Sequence, residues 1–169
     1  MDNIIPVLDR SIRVCKIDLD ITSSQLVTVL PVMEVPFPEL TYLRLVSYDS
    51  PTPVVPDPFL AGSAPRLREL WLDRVLFPGL PRLLLSATHL VSLCLRGIPH
   101  FEFISPEAMV ASLERLRLQY LYPEPRPDEE SRHSPPPTRS VLPALTHFEF
   151  EGVSEYLEDL VSRVETGCR

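Results

Sequence analysis

The chain has 169 residues, enough for one domain with a sizeable core, and 44% of them are apolar, which argues against wholesale disorder. A formal net charge of −7 is the opposite of the basic face that nucleic-acid binding calls for, and no apolar run is long enough to span a membrane. Cys15, Cys94 and Cys168 are scattered, with no C-x-x-C, so the sequence reads as a disulfide-free protein of a reducing compartment, cytoplasmic or nuclear.

The start, Met1 to Pro6, has no basic region and no apolar run, and no signal peptide is expected. Residues 2–10 read as a short helix limited by Pro6. A first strand is predicted near 15–20, with outward side chains Lys16, Asp18 and Asp20, a fully charged set that suits an edge strand. Ser23 or Ser24 is expected to cap a helix over 25–30, stopped by Pro31. A second strand is predicted near 41–46, followed by a return rich in proline, with a single helical turn at Phe59-Leu60 ended by Gly62. The third strand, near 68–73, carries Trp71, and its apolar return over 80–86 reads as a short buried helix. The fourth lies near 91–96. Ser105-Pro106-Glu107 then supplies a cap, a first-turn proline and a first-turn acid for a helix through Ala111. The fifth strand lies near 114–119. Residues 122–140 hold six prolines, the run Asp128-Glu129-Glu130 and almost no apolar side chains, a composition predicted to be a disordered insertion. The sixth strand lies near 146–151. A last helix is predicted over 155–165, capped by Ser154, with Leu157, Leu160, Val161 and Val164 at helical spacing.

One spacing organises these elements. Leu67, Leu70 and Leu72 form L-x-x-L-x-L, which returns at Leu40, Leu43 and Leu45, at Leu90, Leu93 and Leu95, and at Leu113, Leu116 and Leu118. With substitutions it appears as Val14, Ile17 and Leu19 and as Leu145, Phe148 and Phe150. Successive starts lie 26, 27, 23, 23 and 32 residues apart. One such motif arises by chance in any leucine-rich chain, but six in a near-constant period of ~20–29 residues mark a leucine-rich repeat solenoid. The fold class is therefore α/β: one domain over 1–169 of about six repeats, a curved parallel sheet on the concave face and short helices and turns on the convex face. The ninth repeat position is Val75, Ile98 and Val153, so apolar stacking is expected in place of an asparagine ladder. Each unit buries its apolar face only against its neighbours.

Period-two alternation sends every second strand residue outward. The central outward column reads Asp18, Arg44, Trp71, Cys94, Arg117, Glu149. One flank reads Lys16, Tyr42, Glu69, Ser92, Arg115, His147, and the other Asp20, Val46, Asp73, Arg96, Gln119, Glu151. A solvated mixed-charge face accounts for the ends of these columns. The middle is different, because Trp, Tyr and Arg are the residue types enriched at binding hot spots. Tyr42, Arg44, Trp71, Arg96, Arg115 and Arg117 are the expected contact residues for a protein partner, with the arginines suited to an acidic or phosphorylated segment.

Several phrases resemble the fungal F-box proteins with leucine-rich repeats: Phe37-Pro38-Glu39-Leu40-Thr41-Tyr42-Leu43-Arg44-Leu45, Gly62-Ser63-Ala64-Pro65-Arg66-Leu67, Phe77-Pro78-Gly79-Leu80-Pro81, Leu84-Leu85-Ser86-Ala87-Thr88-His89-Leu90, Ile104-Ser105-Pro106-Glu107-Ala108-Met109 and Ser154-Glu155-Tyr156-Leu157-Glu158-Asp159-Leu160. The resemblance covers nearly the whole chain. It implies the substrate-recognition repeats of a ubiquitin-ligase adaptor. Only about a dozen residues precede the first repeat, too few for the helices of an F-box, so ligase components are expected partners only if an F-box is supplied elsewhere. The alternative is a stand-alone repeat scaffold or a truncated product with no ligase role.

Enzyme chemistry finds no constellation, and no metal or cofactor is expected. Gly152-Val153-Ser154-Glu155-Tyr156 begins like the nucleophile elbow G-x-S-x-G but ends in Tyr, and Ser154 reads better as a helix cap. His89, His100, His133 and His147 fall in four different repeats or loops, with no H-E-x-x-H. Cys94 stands in the outward column without a neighbouring base, which leaves a reactive thiol as a minor reading. Ser134-Pro135 and Pro135-Pro136-Pro137 offer only weak modification and proline-docking signals.

Overall fold

Alternation turns the recurring leucines into a sheet. The structure, a computed structural model, describes residues 5–8, 10–97, 112–120, 140–152, 157–158, 160–161 and 164–166. The strands are β1 (Lys16–Ile21), β2 (Tyr42–Ser47), β3 (Glu69–Asp73), β4 (Ser92–Arg96), β5 (Arg115–Gln119), β6 (Ser140–Leu142), β7 (His147–Glu151) and β8 (Val164–Thr166). All six predicted strands are present. They form one parallel sheet in the order β1-β2-β3-β4-β5-β7. The register follows the motif throughout: Leu43 pairs with Leu70, Leu70 with Leu93, Leu93 with Leu116 and Leu116 with Phe148. Leu43, Leu45, Leu70, Leu72, Leu93, Leu95, Leu116 and Leu118 are all buried, as are the leading leucines Leu40, Leu67, Leu90 and Leu113. The sheet therefore has one apolar face packed on the core, where Phe37, Phe59 and Met33 fill the largest volumes.

The returns on the core side are short. They comprise α1 (Ile5–Leu8), α2 (Ser23–Val29) and α3 (Leu80–Ser86), with single tight turns at Ser11–Arg13, Leu30–Met33 and Phe59–Gly62. The cap of α2 is Thr22, not Ser23 or Ser24. Thr22 Oγ1 accepts from the Gln25 backbone N–H at 3.3 Å, and Gln25 Oε1 accepts from the Thr22 N–H at 3.1 Å, a reciprocal capping box. Pro31 ends the regular helix, which tightens into the turn Leu30–Met33. The expected turn at Phe59-Leu60 is present but left-handed: Leu60, Ala61 and Gly62 have φ of 54°, 53° and 70°. Phe59 and Leu60 are fully buried there, and Phe59 meets Phe77 edge-on with ring centroids 5.4 Å apart. Burial of these two side chains holds a backbone that is otherwise unfavourable.

Two expectations near the C-terminus are corrected. Val164 is not helical. Residues 157–158 and 160–161 are helical, but Val164–Thr166 is a strand that pairs in parallel with β6 in a separate two-stranded sheet. β-branched Val164 and Thr166 favour an extended backbone, and the β6 ladder satisfies it. Ser140, placed in the disordered insertion, is the first residue of β6. The rest of that insertion, the expected helix after Ser105, the Ser154 cap, and Ile98 and Val153 of the ninth position lie outside the described residues. Val75, the remaining ninth-position residue, is fully buried, as apolar stacking requires.

The two edges of the six-stranded sheet differ. At β1 the inward residues Ile17 and Leu19 are buried, with Leu8 of α1 in the same core cluster. At β7 the inward Phe148 remains 40% exposed, where its register partner Leu116 is 1% exposed.

Candidate protein-binding face

The outward side of the sheet positions every predicted contact residue through backbone register alone. Asp18 pairs with Arg44, Arg44 with Trp71, Trp71 with Cys94, Cys94 with Arg117 and Arg117 with Glu149, one row across six strands. Tyr42, Glu69, Ser92 and Arg115 form the parallel row on one side, and Val46, Asp73, Arg96 and Gln119 the row on the other. The six candidates thus lie on four adjacent strands. At ~4.8 Å per strand the patch from Tyr42 to Arg115 is about 14 Å wide.

Within that frame the side chains sort into three settings. The first is the pair Arg44 and Trp71. Arg44 Cζ sits 6.0 Å from the indole centroid, at the outer limit of a cation–π contact. Its two terminal nitrogens reach back to β1, donating to Asp18 at 2.9 Å and Asp20 at 3.2 Å. The Asp18 carboxylate, then Asp20, raise the guanidinium pKa further above its ordinary value, against an opposing effect of burial. Trp71 is half-buried, and its Nε1 is closed to solvent with no hydrogen-bond acceptor. Tyr42 is covered in the same manner by Lys16, whose Nζ lies 4.4 Å from the ring centroid.

The second setting is paired arginine. Arg96 donates Nε to Gln119 Oε1 at 2.5 Å and lies 3.4 Å from Asp73. Arg117 donates to Glu149 at 2.6 Å. Sequence reasoning offered these arginines to an acidic or phosphorylated segment, but each already holds a resident acid or amide across the neighbouring strand. The signal was present in the columns, because opposite charges occupy adjacent positions of one row. The third setting is Arg115, which is exposed and has no ion-pair partner among the described residues.

Two outward residues that alternation placed in solvent are buried, Val46 and Cys94. Cys94 is a small side chain standing in register between Trp71 and Arg117. Burial pushes its thiol up to about 11, overriding the nearby Arg117 and Arg96 cations that favour thiolate. The reading of Cys94 as a reactive thiol is therefore corrected. Sequence reasoning also missed the cluster at the end of β2. Asp49 Oδ1 accepts from the Ser23 N–H at 2.6 Å and from the Ser23 hydroxyl at 2.7 Å, and Ser47 Oγ lies 3.0 Å from Ser23 Oγ. The Ser23 hydroxyl, followed by its N–H, holds the Asp49 carboxyl below the ordinary carboxylate range. No periodic signal marks this cluster, since it joins the first turn of α2 to the strand end one repeat later.

No group of His, Cys, Asp and Glu able to hold a metal ion occurs among the described residues, and no helix among them is long and apolar enough to cross a membrane. No family model, curated protein or solved structure matches this chain.

Proposed function

We propose that this chain is a protein-binding module, a leucine-rich repeat arc whose concave side is the outward sheet face, similar to the substrate-recognition repeats of an F-box ubiquitin-ligase adaptor. The observation that carries the reading is the state of Trp71. A large indole occupies the middle of an outward face, half-buried, with its N–H lacking an acceptor. A buried unpaired donor costs ~1–3 kcal/mol, and the exposed cation–π contact with Arg44 returns about 0.5–1 kcal/mol. The free protein thus carries an unfavourable side chain at the centre of its most regular surface. A partner that covers the exposed part of the ring adds the apolar burial that the free protein lacks. Arg115 supplies an uncommitted cation at one end of the patch, and Arg96 and Arg117 exchange resident acids for acids of the partner, which suits an acidic or phosphorylated segment.

The test is proximity labelling or affinity capture with the wild type and with Trp71→Ala and Arg117→Glu. Hot-spot truncation at Trp71 is expected to cost ~2 kcal/mol or more, a loss of about thirtyfold in affinity. Unchanged affinity in both variants, with binding abolished by substitutions on the helical side, overturns the reading. Co-purification with a Skp-type adaptor separates the ligase reading from the alternative, a stand-alone scaffold using the same face.

A further inference from the structure

Strand β7 is unlike the other five strands of its sheet. Thr146, His147, Phe148, Glu151 and Gly152 are all exposed, and among the described residues β7 pairs only with β5. The inward Phe148 is 40% exposed, whereas its five counterparts Ile17, Leu43, Leu70, Leu93 and Leu116 are all buried. An edge strand with unpaired backbone groups and an exposed apolar side chain is a template for another strand, and proteins usually blunt such an edge or pair it.

The backbone fixes which groups that edge offers. The His147 N–H donates to the Glu114 carbonyl at 3.0 Å, and the Glu151 carbonyl accepts from the Tyr120 N–H at 2.9 Å. The odd residues of β7 therefore turn their hydrogen-bonding groups toward β5, and alternation leaves those of Phe148 and Phe150 pointing out of the sheet.

Charge selects the occupant. Stacking the β1 edge of a second copy onto β7 in continuing register sets Asp18 against Glu149 and Asp20 against Glu151, two like-charge pairs in which both Asp share the single cation Arg44, and it repeats head to tail without closing. An antiparallel pairing of β7 with β7 of a second copy, centred on Glu149, does the reverse. It sets His147 opposite Glu151 twice and Phe148 opposite Phe150 twice. The outward-pointing backbone groups of Phe148 and Phe150 then form the hydrogen-bonded pairs that an antiparallel ladder requires. The two Glu149 side chains meet at the axis, but each is already held by its own Arg117 at 2.6 Å. We infer that two copies of this chain associate through β7, antiparallel and two-fold symmetric, joining two six-stranded sheets into one. This is an isologous interface, in which every substitution acts twice. Because the axis stands perpendicular to the sheet, both Trp71 faces lie on the same side of the joined surface.

Sedimentation velocity of the full chain over a wide concentration range reads the association directly. The wild type is expected to form a dimer that dissociates on dilution. Phe148→Lys is expected to give monomer at all concentrations while keeping the wild-type circular dichroism spectrum. His147→Glu, which creates two like-charge pairs, should weaken dimerisation about tenfold. The double variant His147→Glu with Glu151→Lys places opposite charges across the axis and should recover affinity to near wild type. A wild type that stays monomeric at every concentration overturns the proposal. So does a dimer that survives Phe148→Lys, or a double variant that fails to recover.

Discussion

Arg74 follows β3 at φ 52°, and Gly97 follows β4 at φ 64°. The two residues occupy equivalent places, each donating its N–H across to the next strand end: Arg74 to the Arg96 carbonyl and Gly97 to the Gln119 carbonyl, both at 2.8 Å. A left-handed backbone costs an L side chain roughly 1–2 kcal/mol, and the half-buried Arg74 side chain returns little through a 3.8 Å approach to Asp73 and a long 3.4 Å hydrogen bond to the Tyr48 carbonyl. Arg74→Gly is therefore expected to stabilise the protein by about 0.5–1 kcal/mol, and Gly97→Ala to destabilise it by a similar amount, both read by urea denaturation. Asp49 gives a pH signature. Its folded pKa lies below its unfolded one, so its stabilisation is present above the unfolded value near pH ~4 and is lost as pH falls through the folded value. The melting-temperature gap between wild type and Asp49→Asn should accordingly be constant near neutrality and close in acid. Cys94 is expected to resist alkylation. A thiol at about 11 carries more than a hundredfold less thiolate than a free cysteine at the same pH. Maleimide at pH 8 should label the exposed Cys15 in a Cys168→Ser background and reach Cys94 only on unfolding.

Among the elements, the strands were legible and the caps and returns only in part. Period-two alternation and a leading leucine are local patterns, so each strand of the six-stranded sheet announced itself, and counting from one motif to the next gave the register. Sequence reasoning named Ser23 or Ser24 as the cap and passed over Thr22. The deciding signal was Gln25, which lies at capping-box distance from Thr22 alone, while the Ser23 hydroxyl is committed to Ser47 and Asp49. Strands β6 and β8 were illegible for a physical reason. Each has three residues, too few for a period, and Val164 also fits the helical spacing of Leu157, Leu160 and Val161. Packing separates the strands energetically. Leu70→Ala, at a site 2% exposed, should cost about 2–5 kcal/mol. Phe148→Ala should cost ~1 kcal/mol or less in the monomer, because less of its ring leaves a packed environment. A chemical-denaturation comparison of the two checks the asymmetry between a central strand and β7.

At the scale of the whole molecule, the β1 edge is closed on its core side: Ile17 and Leu19 are both buried, with Leu8 in the same core cluster. The sequence pattern missed this closure because α1 is a four-residue turn with no readable period. Leu8→Asp is expected to destabilise the chain by about 2–4 kcal/mol through an unpaired buried charge, measured by thermal unfolding. The candidate face was legible as a set of columns and not as an electrostatic surface. Alternation places Arg44, Trp71 and Arg117 in one row. Whether a cation in that row is free depends on rotamers that bring Asp18, Asp20 and Glu149 onto it, and these are tertiary facts.

The strand order β1-β2-β3-β4-β5-β7 follows the chain, so each strand pairs only with the strands that come before and after it among the six of that sheet. Copy number is then a free variable. A tandem duplication of residues 41–67, which span β2 and its return, inserts one more strand between β2 and β3 and replaces their one ladder with two of the same register. The leucines of the new unit meet leucines on both sides, and the row through Arg44 and Trp71 lengthens by one arginine. A gene carrying such a duplication encodes a longer sheet with a changed outward face in a single step.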